Sequence, residues 1–193
     1  MDTTRLHQLR NMPPQKNLRD NYQEIVDDVA EAGLKYLVCA SIPVGTTTEI
    51  NESIEILKKS GEAARKAGIT LCYHNHTHEF EIVDGKMPYD QFLQISPDVL
   101  KMELDLGWAT VAGQDPVALF NKNPGRYPLW HVKDMTAAHV PTEVGNGTID
   151  FKRIFAASKI AGMQYFFVEQ DGATHPIESI TASYQDLTTK VLA

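Results

Sequence analysis

Three histidines alternate in L-C-Y-H-N-H-T-H-E-F, Leu71 to Phe80, and a glutamate follows the last of them. Imidazoles and carboxylates crowded together can hold a divalent cation or move protons near neutral pH. If the stretch is extended, alternation sends His74, His76 and His78 to one face. A solvated patch of histidines at a strand end would look the same in this window, so the rest of the chain must decide.

Other groups of this kind recur downstream at Asp105, in His131-Val132-Lys133-Asp134 and in Glu169-Gln170-Asp171. A regular beat of strand and helix positions them. Apolar residues at helical spacing predict helices over 17–33, 49–67, 89–95, 116–121, 150–161 and 177–191. Asp115-Pro116 supplies a cap and a first-turn proline, and Gly33, Gly68 and Gly162 are stops. Apolar runs predict strands over 34–40, 69–76, 99–106, 127–134 and 163–170.

Strands alternating with helices imply a parallel sheet with right-handed crossovers. Five such units fit a doubly wound open sheet or part of a (β/α)8 barrel. The segment after the first strand, S-I-P-V-G-T-T-T, is no glycine-rich phosphate loop, so a nucleotide-binding doubly wound fold is unsupported.

The polar residues fall at the C-terminal ends of four successive strands: His74 and His76, then Asp105, then His131, then Glu169. Loops converge on that end in parallel α/β folds, and ligands bind there. Taken singly, Asp105 reads as the cap of the next turn and His131 as a satisfied core histidine. Such residues at four strand ends around one rim favour a site. The mixture suits Mn2+, Co2+, Zn2+ or Mg2+, and no cysteine is placed to join it. One such cation would chelate adjacent substrate oxygens and stabilise an enediolate.

The bulk numbers exclude other classes. A chain of 193 residues fits one domain, and a net charge of −7 argues against a phosphate-binding surface for nucleic acid. Lys58-Lys59 falls on a predicted amphipathic helix and reads as solvated. Cys39 and Cys72 sit in apolar runs and read as buried free thiols. No apolar run approaches a membrane span, and M-D-T-T-R-L-H-Q lacks a signal-peptide core, so a cytoplasmic location is expected.

Together, Y-H-N-H-T-H-E-F, E-L-D-L-G-W-A, H-V-K-D, V-G-N-G-T-I-D-F and F-V-E-Q-D resemble the sugar phosphate isomerase/epimerase superfamily. This is the xylose-isomerase-like TIM-barrel group, in its subset carrying YHNH, and the likeness runs from about residue 20 to the C-terminus. It implies a metal-dependent isomerase or epimerase of a sugar or keto-sugar, with one divalent ion at the barrel mouth. A keto-polyol dehydratase or lyase is the alternative on the same scaffold.

The resemblance also implies roles. The family holds its metal with Glu, Asp, His and Glu from the last four strands. Asp105, His131 and Glu169 fill three of those places. His74 stands in the first, where many relatives carry Glu. Glu79 would then be the missing carboxylate or a partner for a substrate hydroxyl, sharing proton transfer with Glu169. His76 is a ligand or substrate contact. Lys133 either holds a substrate oxygen or pairs with Asp105 or Glu103, and Trp108 is an apolar wall against a sugar's C–H face or ordinary loop packing. The loop 144–148 reads as structural, and Arg126 is given no role.

Counted from the C-terminus, these five strands correspond to the fourth to eighth of a barrel. The start, M-D-T-T-R-L-H-Q-L-R-N-M-P-P, reads as a short helix or loop and a Pro-Pro break. The expectation is one incomplete domain over 1–193, a partial (β/α)8 barrel whose open edges drive self-association into a homo-oligomer. An inactive barrel serving as a binding or structural module is the reading from another class. An endonuclease on abasic DNA is disfavoured by the acidic charge.

Overall fold

A computed structural model of the protein describes residues 16–192. Five strands form one parallel sheet: β1 Tyr36–Cys39, β2 Thr70–His74, β3 Lys101–Asp105, β4 Leu129–Val132 and, later in the chain, β7 Tyr165–Val168. Their order in space is their order in sequence, β1-β2-β3-β4-β7, every pair parallel. Between β4 and β7 a short antiparallel pair, β5 Asp134–Met135 and β6 Pro141–Thr142, folds over the strand ends.

The helices are α1 Leu18–Glu31, α2 Thr47–Lys66, α3 Pro88–Phe92, α4 Leu106–Val111, α5 Pro116–Lys122, α6 Phe151–Ala156, α7 Ser158–Ala161 and α8 Pro176–Asp186. Local chemistry sets their ends. Thr46 caps α2 by accepting from the Glu49 N–H, Asp115 caps α5 from the Val117 N–H, and Gly162 ends α7 at φ +77°. One face of α2 buries Ile50, Leu57 and Ala64, and its Gly61 lies so close to the Val99 carbonyl that a Cβ would sit 2.2 Å away.

The register divides the sheet into two faces. Leu71, Tyr73, Met102, Leu104, Trp130 and Val132 point outward to the helices and are fully or nearly fully buried. Trp130 stacks on Phe120 at 5.0 Å and Tyr73 meets Phe92 edge-on at 4.9 Å. The inner face carries Tyr36, Cys72, His74, Glu103, Asp105, Leu129, His131, Tyr165 and Phe167.

The sheet is curled. Tyr36 on β1 and Tyr165 on β7 belong to its two outermost strands, yet their ring centroids are 6.0 Å apart. Five flat strands would separate those edges by roughly 19 Å. The expected partial barrel is therefore what forms: a half-barrel with helices outside. Its inner face stays open along β7, where Tyr165 and Phe167 are 50% and 48% exposed.

Several bounds differ from expectation. The strand expected over 69–76 stops at His74. The helix expected over 150–161 breaks at Ala157, and that over 177–191 passes into a π-helical turn, Leu187–Val191. Helix α4 and the β5–β6 pair were not anticipated. The reading of M-D-T-T-R-L-H-Q-L-R-N-M-P-P lies outside the described residues. Both cysteines are buried free thiols, and among the described residues no helix is long and apolar enough to cross a membrane.

Candidate metal centre

His74 ends β2 because the next residue leaves the ladder. Asn75 is fully buried and turns its side chain onto β3: Oδ1 accepts from the Asp105 N–H at 3.0 Å and Nδ2 donates to the Asp105 carbonyl at 3.4 Å. A side chain thus extends the strand pairing by one step and fixes Asp105. The chain then winds into a 3-10 turn, His78–Phe80. The alternation of His74, His76 and His78 on a strand face is corrected accordingly. The turn still keeps the rings close, with centroids 4.9 Å apart for His74 and His76 and 5.7 Å for His76 and His78.

His74, Asp105 and His131 each offer a ligand atom, and these atoms lie within 4.8 Å of one another. Asp105 serves two purposes. Its Oδ1 accepts from the Trp108 N–H at 2.8 Å and caps α4, while Oδ2 is buried without a hydrogen-bond partner, 3.3 Å from Lys133 Nζ. His74 Nδ1 is likewise buried and outside hydrogen-bond geometry, though 3.2 Å from Glu103. Neither atom makes a hydrogen bond, each facing only one charged neighbour, Lys133 for Asp105 and Glu103 for His74, and a divalent cation would give both a ligand bond. The residues fit such an ion, and the two-imidazole, one-carboxylate set suits a borderline one.

Two further carboxylates flank the cluster. Glu103 lies 3.2 Å from His74 Nδ1 and 3.4 Å from His131 Nε2, and Glu169 lies 2.6 Å from His131 Nδ1. Burial opposes ionisation of Glu103, but the contacts with His131 and His74 outweigh it and hold its carboxyl at about 2. Burial likewise opposes the charge on His131, yet Glu103 and Glu169 lift it to about 9. Asp105 moves the other way, raised chiefly by burial. Glu103 is the site residue that sequence reasoning treated only as an ion-pair partner for Lys133. Its parity with Asp105 in K-M-E-L-D was the available signal.

Lys133 is nearly fully buried, with Nζ 3.3 Å from Asp105, 3.1 Å from Glu169 and 2.8 Å from Asp171, and 4.9 Å from the Trp108 ring centre. It binds three carboxylates, and Glu103 is not among them. Gly107 permits this approach, since a Cβ there would meet the Lys133 carbonyl at 2.8 Å. Trp108 is half-buried, its ring 6.5 Å from that of His76.

Glu169 touches His131 and Lys133 rather than joining the three-residue cluster. Glu79 lies outside that cluster too. It is fully buried, bonded to the Tyr73 hydroxyl at 2.5 Å and the His76 N–H at 2.9 Å, so it braces the turn after β2. Asp134 accepts from the N–H groups of Met135, Gly145, Gly147 and Ile149, which makes it the anchor of the 144–148 loop. Arg126 donates to the carbonyls of Phe92, Leu93 and Ile95 behind α3.

A curled sheet of five parallel strands with imidazoles and carboxylates at its C-terminal ends defines a partial α/β barrel with a cation-fitting rim. The profile of the xylose isomerase-like TIM barrel family matches residues 5–186, and the chain belongs to that family. An inosose dehydratase from Geobacillus thermodenitrificans (strain NG80-2) is 29% identical over 162 residues, covering 70% of this chain and 53% of the relative. The chain spans about half the length of the curated relatives it matches.

Among solved structures, a sugar phosphate isomerase/epimerase from Parabacteroides distasonis ATCC 8503 superimposes with a TM-score of 0.80 at 27% identity, over 93% of this chain and 68% of that one. A xylose isomerase-like TIM barrel protein from Mycobacterium smegmatis, in complex with magnesium, shares the fold with a TM-score of 0.67 at 16% identity, over 91% and 68%.

Proposed function

We propose that this chain carries the cation-binding, proton-moving wall of a divalent-metal-dependent isomerase or epimerase of a sugar or keto-sugar. The observation that carries this reading is the His74–Asp105–His131 cluster, whose ligand atoms lie within 4.8 Å of one another, with Asp105 Oδ2 and His74 Nδ1 buried and making no hydrogen bond. A cation held there, with Glu169 alongside, would polarise the substrate carbonyl and take up the negative charge that develops beside it.

Glu169 is the group assigned to take the proton. Burial opposes its ionisation, but His131 and Lys133 outweigh that and lower its pKa; with His131 on a cation, Lys133 at 3.1 Å still favours the carboxylate, the form that accepts a proton. Lys133 orients Glu169 and adds positive charge near the reacting oxygens. Trp108 and His76 line the approach as substrate contacts. Glu79 acts through the backbone of His76, as a positioning residue.

A second reading, dehydration of a keto-polyol, is favoured by the inosose dehydratases among the relatives. It shares the proton abstraction and differs in expelling the β-hydroxyl as water. Incubation of the Mn2+-loaded chain with keto-sugars and a keto-inositol in D2O, followed by NMR, distinguishes the outcomes. Deuterium at the carbon beside the carbonyl in an isomeric product supports the first, and an unsaturated or dehydrated product the second. Either should vanish in Glu169→Gln. A folded, metal-loaded chain that exchanges no proton on any of these substrates contradicts both.

We also infer that the chain self-associates. The outer edges of β1 and β7 have no strand partner among the described residues, and Tyr165 and Phe167 are half-exposed on the inner face.

A further inference from the structure

We propose that the turn after β2 forms a second divalent-cation site, built by His76, His78 and Glu79 and distinct from the His74–Asp105–His131 cluster. This inference goes beyond the proposed activity and does not depend on it.

The geometry is local. In H-N-H-T-H-E the strand ends at His74 and the 3-10 turn begins at His78, so three ligand-type side chains fall within one turn of chain. One ligand atom from each of His76, His78 and Glu79 lies within 4.8 Å of the others. His78 Nε2 and Glu79 Oε1 are 3.2 Å apart. Two ligands on one tetrahedral ion, with bonds near 2.0–2.1 Å, stand about 3.3 Å apart. The pair is already at coordination spacing.

A second observation concerns the hydrogen bonding of the same residues. His76 Nδ1 is buried and has no hydrogen-bond partner. The rings of His76 and His78 are nearly parallel, 15° between planes. Glu79 is immobilised beside them: Oε2 accepts from the His76 N–H and Oε1 from the Tyr73 hydroxyl. Holding the carboxylate in place beforehand lowers the ordering cost of binding.

Two imidazoles and one carboxylate select Zn2+ or Co2+ over Mg2+ or Ca2+. Three protein ligands leave a tetrahedral ion one open position, for water or for a substrate oxygen at the mouth.

Titration of the chain with Co2+, read by visible absorption and calorimetry, tests the site. The expected result is two equivalents in the wild type, one in His78→Ala, one in Asp105→Ala and none in the double variant. His78 is part-exposed on a turn, so its replacement should leave the far-UV circular dichroism unchanged. His78→Gln provides a second variant that keeps the side-chain volume, and it too should bind one equivalent. One equivalent in the wild type, unchanged in both His78 variants and lost in Asp105→Ala, overturns the second site while the first stands. One equivalent lost in the His78 variants and kept in Asp105→Ala supports the second site and overturns the first.

Discussion

His131 Nδ1 lies 2.6 Å from Glu169, and the opposite nitrogen of the same ring lies 3.4 Å from Glu103. One imidazole thus bridges two carboxylates contributed by the neighbouring strand β3 and the segment just after β7. That bridge governs how the centre responds to pH.

With metal removed by chelator, stability should peak in mildly acidic solution. His131 is raised from 6.5 to about 9 in the folded chain, so its contribution is complete below about 6.5 and is lost as pH rises through 9. Glu103 is lowered from 4.5 to about 2, so its contribution is complete above about 4.5 and is lost as pH falls through 2. Thermal melts of chelator-treated protein should therefore show the highest Tm between about pH 4.5 and 6.5. His131→Gln should flatten the alkaline limb. A wild-type melting curve with the same alkaline slope as the variant contradicts the bridge.

Loading a cation requires His131 to give up its ring proton, so binding competes with protonation. Apparent affinity should rise about tenfold per pH unit between pH 6.5 and 8.5, with about one proton released per ion at the His74–Asp105–His131 cluster. Calorimetry of Asp105-dependent binding in buffers of different ionisation enthalpy measures that number. Release of no proton would mean His131 is not a ligand.

Asn75 should matter although it carries no chemistry. Asn75→Ala leaves the Asp105 N–H and carbonyl without their side-chain partners in a buried place, which costs about 1–3 kcal/mol. Chemical denaturation should show that loss, and metal affinity should fall because Asp105 is no longer held in register. Asn75→Asp retains the acceptor and loses the donor, and it adds a buried negative charge beside Asp105. Its effect on stability should be at least as large.

Gly107→Ala tests the close packing beneath Lys133. The new Cβ would meet the Lys133 carbonyl at 2.8 Å and its Cβ and Cγ at 3.0 Å. A cost of about 1–3 kcal/mol is expected. Under the proposed reaction, turnover should fall further than stability alone explains, because Lys133 Nζ contacts Glu169 at 3.1 Å. A variant with wild-type turnover argues against a role for that contact.

Light scattering should report a mass above that of one 21.6 kDa chain at micromolar concentration. Phe167→Glu, on the exposed inner face of β7, should shift the population toward monomer. A wild type that is monomeric at all concentrations contradicts self-association.

The sequence carried the order of elements because each strand is an apolar run bounded by glycine, proline or a cap, and parallel crossovers leave few ways to connect them. It also carried the strand-end positions of His74, Asp105 and His131. Other features depend on contacts between distant residues. β2 stops at His74 because Asn75 pairs with a backbone 30 positions away. The curl that brings Tyr36 to Tyr165 is a property of the whole sheet and has no signature in any window. Asp105 illustrates a different limit: its sequence position fits a cap or a ligand, whereas only Oδ1 is used as the cap and Oδ2 stays available beside Lys133.

The most direct test is the divalent-metal content of purified protein, wild type against Asp105→Ala, after equilibration with Mn2+ or Zn2+ and removal of free ion. Asp105→Ala, still folded by circular dichroism, should lose one equivalent per chain. An unchanged metal content in the variant, or a folded wild type that retains no ion, would contradict a metal centre built on His74, Asp105 and His131.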